Sequence, residues 1–377
     1  MMNPSNSKID MHLHVGLLGD RWPEWGHFTD WYRRQIVYKI FLLYGRVKEA
    51  DISDTYLRDK TIEVIGQSKL DKVVCLALDP VYDSKGKRRP DLSHVWVDND
   101  FIIKELREKL PDKVLLGASV HPYDLKFKDR VKYCVDQGAV LLKWLPSVQF
   151  IDLAEDKARD AMISLAKAGP NGKPLPLLLH VGPEYAIPTS NEKYRPYDYL
   201  SWTWRDKFLN FFRGGKRWHA PKVKKIHKNI KAALDEGVTI IFAHCGVHYF
   251  ASGLIGEVLE HNEFNTVKKY LERTGKGEFK GKCYGDVSAF CTPVRIQYAP
   301  KIKKLPPELI LFGSDFPTPA FELSADLKEN MRDLKAILKG DFYRIIIPQD
   351  NLLDVNYNEL QVVFPDHKMF TNFNDLM

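Results

Sequence analysis

The chain has 377 residues, 44% of them hydrophobic and 28% charged, and a formal net charge of +7. This balance excludes a disordered or low-complexity chain and leaves room for one large α/β domain or two ordinary ones. No apolar run reaches the ~18–20 residues a membrane-spanning helix needs, and MMNPSNSKID lacks the basic-then-apolar order of a secretory signal.

The charge is uneven. Between Tyr185 and Lys231 there are 12 Lys or Arg against 3 Asp or Glu, a local +9, so the rest of the chain carries −2. Much of that excess lies in HAPKVKKIHKNIKAAL, which reads as a solvated basic helix. Cys75, Cys134, Cys245, Cys283 and Cys291 show no paired spacing and read as small core residues of a reducing compartment, so a cytoplasmic protein is expected.

In chain order, the first strand is KIDMHLHV, and it carries His12 and His14 two residues apart. Alternate residues of a strand share a face, so both imidazoles project together, half of a typical zinc site. Asp10 falls on the same face and is expected to orient one of them from deeper in the chain. A long insertion follows, about residues 16–51, with RWPEWGHFTDWYRR inside it. The next strands are DKVVCLAL, KVLLGASV (followed by His121) and AVLLKWL, where Lys143 interrupts an apolar run. PLLLHV, the fifth strand, ends at His180 with Glu184 just beyond, and precedes a second insertion, about residues 183–231. VTIIFAH ends at His244 with His248 and Tyr249 downstream; KCYGDVSA follows, and ELILFGSD ends at Asp315.

These eight strands alternate with amphipathic segments such as ARDAMISLAKAG and IHKNIKAALDEG. The pattern predicts α/β architecture, a (β/α)8 TIM barrel with long insertions after strands 1 and 5. One domain then spans residues 1–377, with a tail from about 341. An open doubly wound sheet is the alternative, but no GxGxxG loop follows the first strand. Six tryptophans, Trp22, Trp25, Trp31, Trp202, Trp204 and Trp218, fall in the two insertions, where some should build satellite cores and a few line a pocket.

Barrel topology would gather His12, His14, Lys143, His180, His244 and Asp315 at one rim. Unpaired polar groups buried together there cost several kcal/mol each, and a divalent cation satisfies them at once. Neutral imidazoles and a carboxylate suit zinc best, with iron or manganese as alternatives.

Taken as an ordered set, HxH, the strand-four lysine, two HxG motifs and GSDxP resemble the amidohydrolase superfamily, in its amidohydrolase-related branch of TIM-barrel metal-dependent hydrolases. DNLLDVNYNEL is similar to that branch's tail. The resemblance implies that His12, His14, His180 and Asp315 are metal ligands. It makes His244 either a second-metal ligand or a catalytic histidine. It leaves Lys143 as either a carboxylated bridge between two ions or an unmodified lysine beside one.

The expected activity is hydrolysis of an amide, ester or lactone of a small, carboxylate-bearing substrate. Zinc (one ion or two) would activate water, Asp315 would act as general base, and His244 would polarise the carbonyl. Decarboxylation of an aromatic or unsaturated acid uses the same ligands and is the alternative. Arg21, Arg33, Arg195, Arg205, Arg213 and Arg217 in the insertions would suit a planar carboxylate, or simply coat the surface. A non-catalytic barrel binding nucleic acid or another anion is the remaining reading, disfavoured by so many convergent metal-type residues. The partners expected are a small-molecule substrate and, in a homo-oligomer, further copies of the chain, but no membrane.

Overall fold

The computed structural model describes residues 6–182, 184, 186–187, 200–201, 222–247, 263–292, 295–326, 328–330, 332 and 350–377. Within them lie β1 (Ile9–His14), β2 (Gly26–Phe28), β3 (Lys72–Leu76), β4 (Val95–Val97) and β5 (Val114–Ala118). They are followed by β6 (Ala139–Trp144), β7 (Leu177–Leu179), β8 (Ile240–Phe242), β9 (Cys283–Asp286) and β10 (Ile310–Leu311). One eight-stranded sheet takes them in the order β1-β3-β5-β6-β7-β8-β9-β10, and β2 pairs with β4 outside it. The segment after β10 returns to β1, where the Met11 and His14 N–H groups donate to the Phe312 and Phe316 carbonyls. A cyclic order of eight strands with helical segments between them is that of a (β/α)8 barrel.

The chain divides into two compact units. The first comprises residues 1–77, 95–117 and 286–377. In it β1 lies parallel to β3, with Asp10 opposite Val73 and Leu13 opposite Cys75. Two residues, Met11 and His12, therefore sit against Val74 alone, a bulge at the HxH motif. The loop after β1 is fixed by one carboxylate. Asp54, fully buried, accepts hydrogen bonds from the N–H groups of Leu18, Gly19, Arg21 and Trp22. Trp22 stacks on Trp25 and packs against Phe101, a satellite core of the expected kind. Trp202, Trp204 and Trp218 lie outside the described residues. At the other end of the unit, Asn351 caps the helix Leu352–Val363 through the Leu353 N–H, and Phe370 packs on Phe312 and Tyr357.

The second unit comprises residues 78–94 and 118–285. Its strands β6, β7 and β8, apolar apart from Lys143, are largely buried on both faces, in parallel register with Leu142 opposite Leu177 and Leu177 opposite Ile240. The helix Val223–Asp235 buries Ile226, Asn229, Ile230, Ala233 and Leu234, the spacing of one helical face. Lys224, Lys225, Lys228 and Lys231 are exposed, so this part of the basic excess is solvated surface. All five cysteines are free and buried, and no helix among the described residues is long and apolar enough to cross a membrane.

Candidate metal centre

In the first unit, three donor atoms meet. His12 Nε2 lies 3.2 Å from His14 Nε2 and 3.3 Å from Asp315 Oδ1, and His14 Nε2 lies 3.4 Å from the same oxygen. Lone-pair atoms held this close repel unless a proton or a cation lies between them. His12 is fully buried, while the His14 side chain is 29% exposed, so the triangle opens on one side.

The sequence builds this triangle from both ends of the unit. The Asp315 N–H donates to the His12 carbonyl, and Ser314 N–H and His12 N–H both donate to Asp10 Oδ1. A Cβ on Gly313 would stand 2.6 Å from the His12 Cβ, so only glycine lets the two segments approach. Asp315 adopts φ +61°, the left-handed region that aspartate tolerates better than most residues. Its second oxygen accepts from the Thr318 hydroxyl at 3.0 Å and lies 3.9 Å from the Arg295 guanidinium.

Asp10 corrects the sequence reading. Its carboxylate ties the backbone of β1 to the GSD turn rather than orienting an imidazole, and burial pushes its carboxyl up to about 7. The imidazole is oriented instead by Asp286, whose Oδ2 lies 3.0 Å from His12 Nδ1. The sequence reading missed Asp286, Ser288 and Arg295. The one available signal was Asp286, the single carboxylate in KCYGDVSA.

In the second unit, His180 and His244 stand edge to face with ring centroids 5.5 Å apart. Register puts Lys143 opposite Leu178, so the buried lysine shares a sheet face with His180, two residues further on. Simple alternation would send His244 to the opposite face, because Phe242 pairs with Leu179. Left-handed φ at His244 (+54°) and Cys245 (+49°) turns the imidazole back. Gly285 makes room for that turn, since a Cβ there would stand 2.6 Å from the Cys245 sulfur. Glu184 reaches His180 Nε2 at 3.2 Å.

His121 is structural. Its Nε2 donates to the Gln149 carbonyl and its Nδ1 accepts the Tyr123 N–H. Burial pulls its pKa down to about 3. Neutral His121 therefore contributes stability in full above the ordinary histidine value of about 6.5, and the contribution is lost as pH falls towards 3. Urea midpoints of wild type are expected to drop across this window, and those of His121→Gln to drop less steeply; parallel profiles would refute the assignment. Arg21 bonds Thr55 and stacks over Trp22, and Arg33 lies 3.7 Å from Asp30, so both belong to local packing. Arg195, Arg205, Arg213, Arg217, His248 and Tyr249 fall outside the described residues.

No family model and no curated protein sequence matches the chain. Among solved structures, the chain is similar to the apo IDCase of Metarhizium anisopliae, at 13% identity and a TM-score of 0.44, covering 98% of this chain and 100% of that one. It is similar to 5-carboxyvanillate decarboxylase LigW2 of Novosphingobium aromaticivorans with bound manganese, at 12% identity and a TM-score of 0.39, covering 94% and 98%. A third likeness is to an amidohydrolase of Burkholderia multivorans, at 10% identity and a TM-score of 0.44, covering 98% and 100%.

Proposed function

We propose that this chain is a metal-dependent enzyme of the amidohydrolase type, hydrolysing an amide, ester or lactone of a small carboxylate-bearing substrate. The observation that carries the reading is the triangle of His12 Nε2, His14 Nε2 and Asp315 Oδ1, with edges of 3.2–3.4 Å. Its donor set of two imidazoles and one carboxylate fits zinc better than a harder cation that prefers oxygen ligands. His12 and Asp315, both buried, each offer one donor atom to such an ion, and the sequence reading adds His244 to them. His180, and Lys143 if carboxylated, complete the proposed set on the strand-end logic of the sequence.

Bound there, a divalent ion supplies Lewis acidity that activates water or polarises a substrate oxygen. Asp315 accepts the proton: its Oδ2, steadied by Thr318 and facing Arg295, is the oxygen left to do so when Oδ1 is engaged. His244 steadies negative charge developing on the substrate oxygen. Arg295 adds a positive charge within reach of an anionic substrate. A second reading, decarboxylation of an aromatic or unsaturated acid, draws on the same arginine and the same donors. The chain is read as cytoplasmic and as acting on small molecules, with nucleic-acid binding disfavoured.

Elemental analysis of protein purified without added metal tests the first step. One equivalent of zinc per chain is expected, or two if Lys143 is a carboxylated bridge; none, with stability indifferent to added zinc, would end the reading. Against panels of lactones, amides and aromatic acids, solvent oxygen in the product marks hydrolysis, and release of carbon dioxide marks the second reading.

A further inference from the structure

We propose that Asp286 and Ser288 lock His12 in the tautomer protonated on Nδ1, so that Nε2 alone is free of a proton at the His14–Asp315 triangle. Asp286 is thereby a positioning residue, acting on the centre only through His12.

The argument is one of donors and acceptors. His12, Asp286 and Ser288 are all fully buried, so bulk water does not relieve a mismatch among them. The Ser288 backbone N–H donates to Asp286 Oδ1 at 2.9 Å, and the Ser288 hydroxyl donates to the same oxygen. With its proton committed there, the hydroxyl presents a lone pair to His12 Nδ1 at 3.0 Å. Asp286 Oδ2 presents another, also at 3.0 Å. Two acceptors face one ring nitrogen, so that nitrogen carries the proton. A neutral imidazole has a single N–H, which leaves Nε2 as an acceptor directed at His14 and Asp315.

The same geometry says what an isosteric change does. A backbone N–H is a donor only, so whatever atom stands at the Oδ1 position of residue 286 must accept from Ser288. In Asp286→Asn that atom is the amide oxygen, and the amide NH2 is forced to the side facing His12. His12 must then accept at Nδ1, and its proton moves to Nε2, where it blocks the cation. Volume is unchanged and the fold keeps its packing.

The affinity arm rests on the metal reading above; the tautomer arm does not. Ring-nitrogen NMR of ¹⁵N-histidine-labelled full-length chain, freed of metal at pH 8, is the measurement, with His12 assigned by its loss in His12→Gln. Wild type and Ser288→Ala, which keeps the backbone donor and the carboxylate, are expected to show His12 protonated on Nδ1. Asp286→Asn is expected to show the proton on Nε2 and to lose zinc affinity by about 10–100-fold or more. Wild type protonated on Nε2, or Asp286→Asn with an unchanged tautomer, would overturn the lock. If Asp286→Asn does not fold, the wild-type spectrum decides alone. Wild type with the expected tautomer but no zinc uptake would keep the lock and remove the metal reading instead.

Discussion

Asp315→Ala is expected to weaken zinc binding by about 10²–10³-fold, measured by competition with a chromophoric chelator. Structural zinc sites of four donors bind with about 10–16 kcal/mol at neutral pH, or about 2.5–4 kcal/mol per donor. Asp315 is the charged member of the triangle, so its loss removes both a donor and the only negative charge among the three. Asp315→Asn keeps an oxygen in place without the charge, and should fall between the variant and wild type in affinity. Turnover should fall by orders of magnitude in both, because each also lacks the proton acceptor. Metal-free Asp315→Ala is expected to stay folded, since truncation relieves three crowded lone-pair atoms. Wild-type affinity in Asp315→Ala would remove the aspartate from the centre.

Arg130→Met carries the largest expected effect on stability. Asp79 is fully buried and is held by Arg130 through two hydrogen bonds, of 2.9 and 3.2 Å. The same guanidinium bonds Asp124 and the Tyr82 hydroxyl, closing a polar cluster beneath the stacked rings of Tyr82 and His121. Removing one partner of such a pair costs about 3–5 kcal/mol, because the other charge stays buried, here with the more distant Arg88, 4.0 Å away, still facing it. Burial already raises the Asp79 carboxyl above its ordinary value despite the arginine, so its loss should raise it further. A carboxyl raised in the folded state contributes most below its unfolded value of about 3.9 and loses that contribution as pH climbs. The destabilisation by Arg130→Met is therefore expected to be larger at pH 7 than at pH 4. Urea unfolding at both values checks it; equal losses would mean that Arg130 does not govern the protonation of Asp79.

How legible the centre was in the sequence depends on the distance over which each determinant acts. The strand periodicity located all eight barrel strands, and the two-residue spacing of His12 and His14 put both imidazoles on one side despite the bulge at Met11 and His12. Conversely, the spacing assigned Asp10 to the wrong task. Alternation gives a side chain's face but not which backbone N–H groups wait there, and Asp10 meets those of His12 and Ser314. His244 shows the opposite case: alternation alone would point it away from His180, and two left-handed residues reverse that.

The sequence by itself determined the number of barrel strands, though not the β2–β4 pair outside them, together with the strand-end histidines and the terminal aspartate, because hydrophobic period and local spacing are short-range properties. Only the tertiary structure decided that Asp286, 274 residues away along the chain, is the partner of His12. It also decided that Asp315 turns on a left-handed residue beside Arg295 and Thr318. The physical reason is the same in each instance. A hydrogen-bond partner is chosen by which buried donor or acceptor the fold brings opposite, and that choice leaves no mark on the neighbouring residues.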